Sequence, residues 1–314
     1  MIIVTGGAGF IGSNLVRGLN KIGREDILVV DDLTDGRKFR NIADCQIMDY
    51  WDIAQLESVI TNGQSFIQPI DIIFHQGACS NTTEWNGQYM MRNNYEYSKN
   101  LLHYCLDRSI PFIYASSGSV YGINENSVEI RENEIPVNIY GYSKYLFDNY
   151  VRIFALGKHS QVAGLRYFNV YGPGEEHKQS MASVVYHFNK QLLESGKVKL
   201  FRGSGRFSDG EQRRDFIYVD DVIAVNLWLM EKKTVSGIYN VGTGKSSSFN
   251  DVANNVIEWH GRGEIEYIDF PEHLKNSYQS FTEANISALR KAGWDNQFTS
   301  LENGIRSYLD RLND

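Results

Sequence analysis

The chain has 314 residues, and 31 lysines and arginines against 38 aspartates and glutamates give it a formal net charge of −7. This acidic balance disfavours binding along nucleic acid, which needs a sustained basic surface. Three widely spaced cysteines indicate neither a disulfide framework nor a metal site, so we expect a reduced, cytoplasmic protein without a metal. The apolar runs are short and the first residues lack a signal pattern, so we predict no membrane span and no secretory signal.

The first half of the chain alternates short apolar runs with helical patterns. Strands are predicted over 2–6, 27–32, 45–50, 71–78, 111–117 and 162–172. Helices are predicted from about residue 12, between the third and fourth strands, over 89–107 and over 140–156. Continuous Ile, Val, Leu and Phe runs bounded by helices are typical of strands buried on both faces. The pattern predicts an α/β fold with a doubly wound parallel sheet, and ligands beyond the carboxyl ends of the strands.

The pattern changes after Gly172. A helix over 181–194, a strand over 197–201, a loop rich in glycine and charge, a strand over 238–244 and two further helices around 265–270 are predicted. Because no Pro- or Ser-rich linker separates the halves, we predict a smaller interleaved α/β substrate domain rather than a second tandem fold. The predicted cofactor domain is 1–170, with 215–245 returning to it. The substrate domain is 171–214 and 246–314.

The segment TGGAGFIG places Gly6, Gly9 and Gly12 between the first strand and the first helix. The first glycine permits a tight turn, the second lets the backbone approach a pyrophosphate, and the third lets the helix pack against the strand. The free N–H groups at the start of the helix would bind the phosphates. The pattern predicts a dinucleotide site.

Acidic and basic residues follow the second strand. Asp31 and Asp32 stand about twenty residues beyond the glycines, where a carboxylate commonly binds the adenosine ribose and favours NAD. Arg37 and Lys38 follow in the next loop, where a cation can bind the 2′-phosphate of NADP. The residues alone leave both cofactors open.

Tyr140 and Lys144 in YGYSK are four residues apart, on one face of a predicted helix. An ammonium beside the phenol would lower the pKa of Tyr140 and make it a usable acid and base. Ser116 and Ser117 end the fifth strand, where a hydroxyl can bond the reacting oxygen. Together with the glycine loop, this arrangement indicates hydride-transfer chemistry.

These motifs resemble the extended short-chain dehydrogenase/reductases, a Rossmann-fold family that acts on nucleotide sugars. The stretches 75–85, 89–105, 138–148, 164–184 and 213–228 narrow the resemblance to the branch of ADP-heptose 6-epimerases, and the similarity covers essentially the whole chain. The resemblance implies inversion of a heptose carbon through a 6-keto intermediate, in lipopolysaccharide precursor synthesis. It also implies tightly bound NADP and a homo-oligomer, often a pentamer.

The resemblance also implies roles for individual residues. Tyr140 and Lys178 would be the acid/base groups, with Lys144 at the cofactor ribose and Ser116, on family grounds, at the reacting oxygen. The other implied cofactor contacts are Gly6, Gly9, Phe10, Ile11, Gly12, Asp31, Asp32, Lys38, His75, Gln76, Gly77, Ala78, Cys79, Asn93 or its neighbour Arg92, Val170 and Lys178. The implied substrate contacts are Asn169, Ser180, His187, Phe201, Arg202, Gly203, Ser204, Arg214 and Tyr278.

Several alternatives stay open in the sequence. Ser117 could replace Ser116 at the reacting oxygen, and the residues after this serine pair, GSVYG, differ from the alanines usual in the family. Arg213 could replace Arg214, because the insert RFSDGEQRR makes the match uncertain. Four arginines, at 202, 206, 213 and 214, fall in one loop that could bind a pyrophosphate. The alternative functions are another nucleotide-sugar epimerase, such as a UDP-hexose 4-epimerase, and a non-catalytic dinucleotide-binding protein.

Overall fold

A computed structural model describes residues 1–157, 159–270 and 279–313. Its strands are β1 Ile2–Thr5, β2 Ile27–Asp31, β3 Asp49–Asp52, β4 Ile72–His75, β5 Phe112–Ser117, β6 Val162–Tyr167, β7 Asn169–Tyr171, β8 Lys197–Phe201, β9 Arg213–Arg214, β10 Phe216–Tyr218, β11 Gly237–Val241, β12 Ser247–Ser248 and β13 Glu264–Ile268. Its α-helices are α1 Phe10–Lys21, α2 Ile53–Thr61, α3 Gly87–Met91, α4 Tyr97–Arg108, α5 Ile139–Phe154, α6 Val184–Ser195, α7 Val219–Glu231, α8 Phe249–His260, α9 Ser287–Lys291 and α10 Leu301–Asn313.

Seven strands form one parallel sheet in the order β11-β6-β5-β4-β1-β2-β3. One apolar core packs against the sheet from α1 and α7, and a second packs from α2, α4 and α5 on the opposite side. Helices on both sides explain why the central strands are apolar at every position. The predicted doubly wound α/β fold is confirmed. None of the described helices is long and apolar enough to cross a membrane.

Four predicted strands were wrong in their limits; 71–78 ends already at His75 and 238–244 at Val241, and the other two differ more. The third strand covers Asp49–Asp52 rather than 45–50, and as the sheet edge it is partly exposed, so its apolar signal is weak. The predicted strand 162–172 is two strands, because the chain leaves the main sheet at Phe168. The second piece, β7, pairs instead with β10 in a two-stranded parallel sheet.

The region after β7 begins with a short 3-10 turn, Glu176–Met181, and α6 starts only at Val184, three residues after the predicted start. The Ser183 hydroxyl caps that helix by accepting from the Tyr186 N–H. Within the turn, Gln179 has a φ of 51°, a conformation that is uncommon for residues other than glycine. The last seventy residues contain three described helices where two were predicted; the short one is α9.

The predicted helix 89–107 is a continuous run of α3, a π-helical turn at Arg92–Glu96, and α4. The wider turn adds a residue to the helical repeat, so positions after Met91 face other directions than the 3.6-residue period indicates. It directs the side chain of Asn94 into the protein, where Asn94 is fully buried.

Candidate active site

The glycine-rich loop between β1 and α1 has no room for side chains. Gly6 has a φ of 66°, and a Cβ atom there would lie 2.6 Å from the backbone N and Cα of Gly77. A Cβ at Gly12 would overlap the Gly6 carbonyl oxygen. Gly9 is the N-cap of α1 and has no side chain to satisfy the first N–H groups of the helix. This loop, with exposed donors at a helix start, fits the pyrophosphate of a dinucleotide.

Asp31, at the end of β2, fixes this loop. Its Oδ2 accepts from the Ala8 N–H at 2.8 Å, and its Oδ1 accepts from the Asp32 N–H at 2.7 Å. Lys38 Nζ lies 2.5 Å from the same Oδ1 and 2.7 Å from the Asp32 carbonyl oxygen. The Lys38 side chain is 16% exposed, so its ammonium lies at the edge of the cleft. The Asp31 carboxylate beside it already accepts three hydrogen bonds from the protein.

The segment after β4, where cofactor contacts were expected at 75–79, passes beside the glycine loop. His75 differs from the expectation, because its ring is buried between the hydroxyls of Thr5 and Ser98, at 2.6 and 2.8 Å. Burial lowers the pKa of His75 to about 3. Its side chain belongs to the core, so only its backbone can face the cleft. The Gln76 side chain contacts the Tyr167 hydroxyl at 3.1 Å, and Ala78 and Cys79 are at least partly exposed.

Asn94, which the sequence analysis missed, holds this segment. Its amide accepts from the Cys79 N–H at 2.8 Å and donates to the Cys79 carbonyl at 2.9 Å. It also donates to the Ser143 hydroxyl of α5 at 3.1 Å. The expected Asn93 instead donates to the Tyr89 carbonyl on its own helix. The π-helical turn directs Asn94 into the protein, which the 3.6-residue helical period does not reveal.

Tyr140 lies in the first turn of α5, after the N-cap Asn138. The Ser117 hydroxyl at the end of β5 donates to the Ser119 hydroxyl at 3.1 Å. It also lies near the Tyr140 side chain and lowers the pKa of Tyr140, but burial has the larger effect and raises it. Lys144 donates to the Ala115 carbonyl at 2.8 Å, and burial lowers the pKa of Lys144 to about 8. The expected lowering of the Tyr140 pKa was wrong, since Lys144 directs its ammonium to the β5 backbone.

Ser116 points away from Tyr140, into a buried ionic network. Its hydroxyl donates to Asp148 Oδ2 at 2.9 Å, and Arg166 Nε donates to the same oxygen at 2.8 Å. Arg166 also donates to Glu134 at 2.5 Å. Neighbouring strand residues face opposite sides of a sheet, so only one of the two serines can reach the cleft. The geometry favours Ser117, and the expectation of Ser116 was wrong.

Lys178 lies in the 3-10 turn after β7, with its ammonium 5.4 Å from the centre of the Phe10 ring at the start of α1. Burial lowers the pKa of Lys178, and the nearby Glu175 carboxylate opposes that shift. Glu175 is fully buried and accepts from the backbone N–H and the hydroxyl of Ser183, both at 2.6 Å. Glu176 is exposed. The turn is therefore packed against the glycine-rich loop.

The expected substrate residues occupy several elements. Asn169 and Ser180 are exposed, and Val170 and His187 are partly buried. Phe201 packs on Phe270 at 5.2 Å between ring centres, the Gly203 N–H donates to Asp209, and the Ser204 hydroxyl accepts from Gln212. Tyr278 lies outside the described residues.

The arginines at 202, 206, 213 and 214 contact different partners among the residues that the structure describes. Arg202 pairs with Asp209 and Asp269, and Arg206 pairs with Glu125 at 2.7 Å. Arg213 donates to the Ser246 carbonyl at 2.6 Å, and Arg214 is buried beside the Phe249 ring. Each arginine thus has partners of its own in this structure, and the pyrophosphate contact predicted for this loop stays a prediction. Among the described residues, no cluster of His, Cys, Asp and Glu could hold a metal ion.

Residues 2–242 match the model of the NAD dependent epimerase/dehydratase family. The chain belongs to this family. Over its full length it is 58% identical to the ADP-L-glycero-D-manno-heptose-6-epimerase of Alkalilimnicola ehrlichii, of which it covers 98%. It is similar to the crystal structure of the Helicobacter pylori ADP-L-glycero-D-manno-heptose-6-epimerase, with a TM-score of 0.85 and 32% identity over 99% of this chain and 96% of that chain.

Other epimerases share the fold. The UDP-glucose 4-epimerase of Thermus thermophilus, in complex with NAD, has a TM-score of 0.81 and 27% identity over 99% of this chain and 98% of that chain. The predicted resemblance to nucleotide-sugar epimerases is thus confirmed. As a member of the epimerase/dehydratase family, the protein is an enzyme that uses a nicotinamide dinucleotide and acts on a nucleotide sugar.

Proposed function

We propose that the protein inverts C6 of the heptose in ADP-glycero-manno-heptose, converting the D-glycero to the L-glycero form. The observation that carries this proposal is the 58% identity to an ADP-L-glycero-D-manno-heptose-6-epimerase along the entire chain. The carbon concerned bears no acidic proton, so inversion needs transient oxidation to a 6-keto intermediate. A bound nicotinamide would supply the acceptor and then the donor of the C6 hydride, with no net consumption of the cofactor.

Tyr140 and Lys178 are the proposed acid/base groups. The two faces of the ketone place the oxygen in two positions, and one side chain cannot easily reach both within hydrogen-bond distance. Tyr140 follows the carboxyl end of β5, and Lys178 follows the loop after β7 and packs on Phe10. They therefore approach the carboxyl edge of the sheet from different elements. This separation supports one group for each epimer.

Ser117 and Lys144 are proposed to assist Tyr140. The Ser117 hydroxyl, which lies near the Tyr140 side chain and lowers its pKa, would stabilise the phenolate and the reacting oxygen. The Lys144 ammonium, held by the Ala115 carbonyl, is positioned for the ribose of the cofactor. The substrate contacts expected from the resemblance remain part of this proposal, with Arg213 and Arg214 both retained as candidates.

NADP is the proposed cofactor. The Asp31 carboxylate already accepts from Ala8, Asp32 and Lys38, which leaves little capacity for ribose hydroxyls. The Lys38 ammonium at the cleft edge supplies a charge for a 2′-phosphate. Replacing Lys38 with Ala should weaken NADP binding at least about tenfold by calorimetry and change NAD binding little. Arg37→Ala is the control, since Arg37 pairs with Asp35. Equal losses for both cofactors would contradict the assignment.

The direct test of function is incubation of the purified protein with ADP-D-glycero-D-manno-heptose and no added cofactor. Proton NMR would follow the configuration at C6, and we expect conversion to the L-glycero form. Unchanged substrate from folded, cofactor-loaded protein would overturn the proposal. Parallel incubation with UDP-galactose tests the alternative of a hexose 4-epimerase, a class represented among the similar structures. A dehydratase is disfavoured because elimination of water needs an acid and a base beside the serine, commonly an Asp-Glu pair, and positions 118–120 are Gly, Ser and Val.

We also propose the division into a cofactor part, 1–170 with 215–245, and a substrate part, 171–214 with 246–314. The pairing of β11 with β6 in the main sheet supports the return of 215–245 to the cofactor part. A homo-oligomer, a pentamer by family resemblance, is the proposed assembly. Light scattering coupled to size exclusion would give its mass, and a mass of one chain at micromolar concentration would contradict this assembly.

A further inference from the structure

The His177 ring is tied to the glycine-rich loop through one buried side chain, Asn41. Asn41 ends the 3-10 turn Gly36–Asn41 after β2, and it is only 6% exposed. Its Nδ2 donates to the Ala8 carbonyl at 3.0 Å and lies 3.1 Å from Nδ1 of His177. One amide nitrogen therefore connects the loop beneath the phosphate site with the turn that carries Lys178.

These contacts determine the protonation state of His177. The Ala8 carbonyl can only accept, so the atom that contacts it must be the amide NH₂, which has two hydrogens to donate. The second hydrogen points to His177, whose Nδ1 must then accept. An imidazole that accepts at Nδ1 is neutral and carries its hydrogen on Nε2. The bond is incompatible with a protonated ring.

The charges around His177 also favour the neutral form. Lys38, from the 3-10 turn after β2, and Lys178, beside it in its own turn, both disfavour a further positive charge. Asp31 at the end of β2, Asp35 before the Lys38 turn, and Glu176 act in the opposite direction. Burial is the largest influence, and the balance lowers the pKa of His177. Protonation would break the bond to Asn41 and add a third cation between two lysines.

The rest of the segment is fixed at its two ends. The Asn14 side chain of α1 donates to the Pro173 carbonyl at 2.8 Å, and Glu175 holds Ser183 at the start of α6. Between these points, the contact of His177 with Asn41 is a side-chain hydrogen bond that joins the turn to the cofactor loop. Losing it would leave the fold intact and loosen Lys178.

We propose that neutral His177 is a positioning residue that, through Asn41, holds Lys178 over the glycine-rich loop, and that protonation of His177 releases Lys178 and slows turnover. The proposal rests on the proposed function, in which Lys178 is an acid/base group. The proposal adds His177, which does not contact the reacting atoms and acts through the neighbouring Lys178.

The kinetic test compares two variants across pH 5–8.5. His177→Asn keeps an acceptor near the position of Nδ1 and cannot titrate, whereas His177→Leu keeps bulk and removes the acceptor. We expect the kcat of the wild-type enzyme to fall at acid pH. In His177→Asn this fall should be much smaller, and kcat at pH 8 should stay within about threefold of the wild-type value. The Leu variant should lose about tenfold in kcat at pH 8, with KM within about threefold. His103→Gln, an exposed histidine bonded to Tyr150, is the control.

An unchanged acid limb in His177→Asn, or wild-type kcat in His177→Leu, would overturn the proposal. If the Leu variant does not fold, Asn41→Ala removes the same bond from the other side and should give the same loss. Two readouts do not depend on turnover: the nitrogen shifts of His177 by NMR, and hydrogen exchange over residues 173–182.

We expect Nδ1 to be unprotonated at pH 7.5, and exchange in this segment to be faster in His177→Leu than in wild type. A proton on Nδ1, or unchanged exchange, would overturn the proposal even if the substrate assignment holds. If instead the heptose substrate is not converted, the function fails while these two measurements still decide the role of His177.

Discussion

Ser117, at the end of β5, lies close enough to Tyr140, in the first turn of α5, to oppose the rise in the Tyr140 pKa that burial causes. The neighbouring Ser116 donates to Asp148 instead, so the two serines have different tasks. We expect Ser117→Ala to lower kcat about 100-fold, because a hydroxyl that stabilises developing negative charge is lost. Ser116→Ala should keep kcat within about fivefold and lower the free energy of unfolding by about 1–2 kcal/mol. Steady-state kinetics and urea denaturation distinguish them, and the reverse ranking would contradict the assignment.

If Tyr140 and Lys178 are both acid/base groups, both Tyr140→Phe and Lys178→Met should lose activity. Each should reduce kcat by about 10²–10⁴, the usual contribution of one proton-transferring group. Tyr142→Phe on the same helix and Lys190→Met on α6 are matched controls, since both side chains are exposed. Proton NMR of the heptose gives the rates. A Lys178→Met enzyme with normal turnover, beside an inactive Tyr140→Phe, would show that one base is sufficient.

Lys144 is a buried cation that should cost stability. It is 4% exposed, and its pKa of about 8 lies below the ordinary lysine value, so the unfolded chain binds its proton more tightly. The destabilisation by Lys144 is fully present below pH 8. It disappears as the pH rises towards about 10.4, the pKa of lysine in the unfolded chain. Lys144→Met should therefore stabilise the cofactor-free protein on the order of 1–3 kcal/mol at pH 7, and less at pH 9.5, while abolishing turnover. Urea denaturation at both pH values measures it, and a loss of stability would refute it.

Arg166 is the centre of the buried network beneath the site. It is fully buried and contacts Asp148, Glu134 and the Tyr121 hydroxyl. Arg166→Met would leave two buried carboxylates without this partner, and we expect a loss of about 3–5 kcal/mol in the free energy of unfolding. Arg152→Met is the comparison, because Arg152 also binds Glu134 but is 23% exposed and should cost less. Similar losses for both would indicate that burial of Arg166 has little effect.

Local patterns predicted the parts of the site that local geometry builds. The glycine loop follows from its place between a strand and a helix, and the placement of Tyr140 and Lys144 one turn apart on α5 follows from the helical repeat. The burial of the His75 side chain could not be predicted, because a strand that is apolar on both faces does not indicate which way a polar side chain points. Asn94 was missed because a π-helical turn shifts the helical phase.

The arginines illustrate a different obstacle. Arg206 pairs with Glu125, 81 residues away, and Arg213 with Ser246, 33 residues away. The sequence analysis grouped these arginines because they are close in sequence. The direction of each guanidinium is instead set by partners that are distant in sequence. Such partners depend on how the substrate part folds onto the sheet, which periodicity does not encode.

The double hydrogen bond from Ser183 to Glu175 couples the loop of Lys178 to the first turn of α6. One buried carboxylate joins the two ends of the nine-residue stretch 175–183, so neither end can shift without the other. For protein engineering, the segment between Glu175 and Ser183 can be treated as one exchangeable loop. Residues 176–182 can be diversified in search of new sugar specificity, provided that Glu175, His177, Lys178 and Ser183 are kept together as a unit.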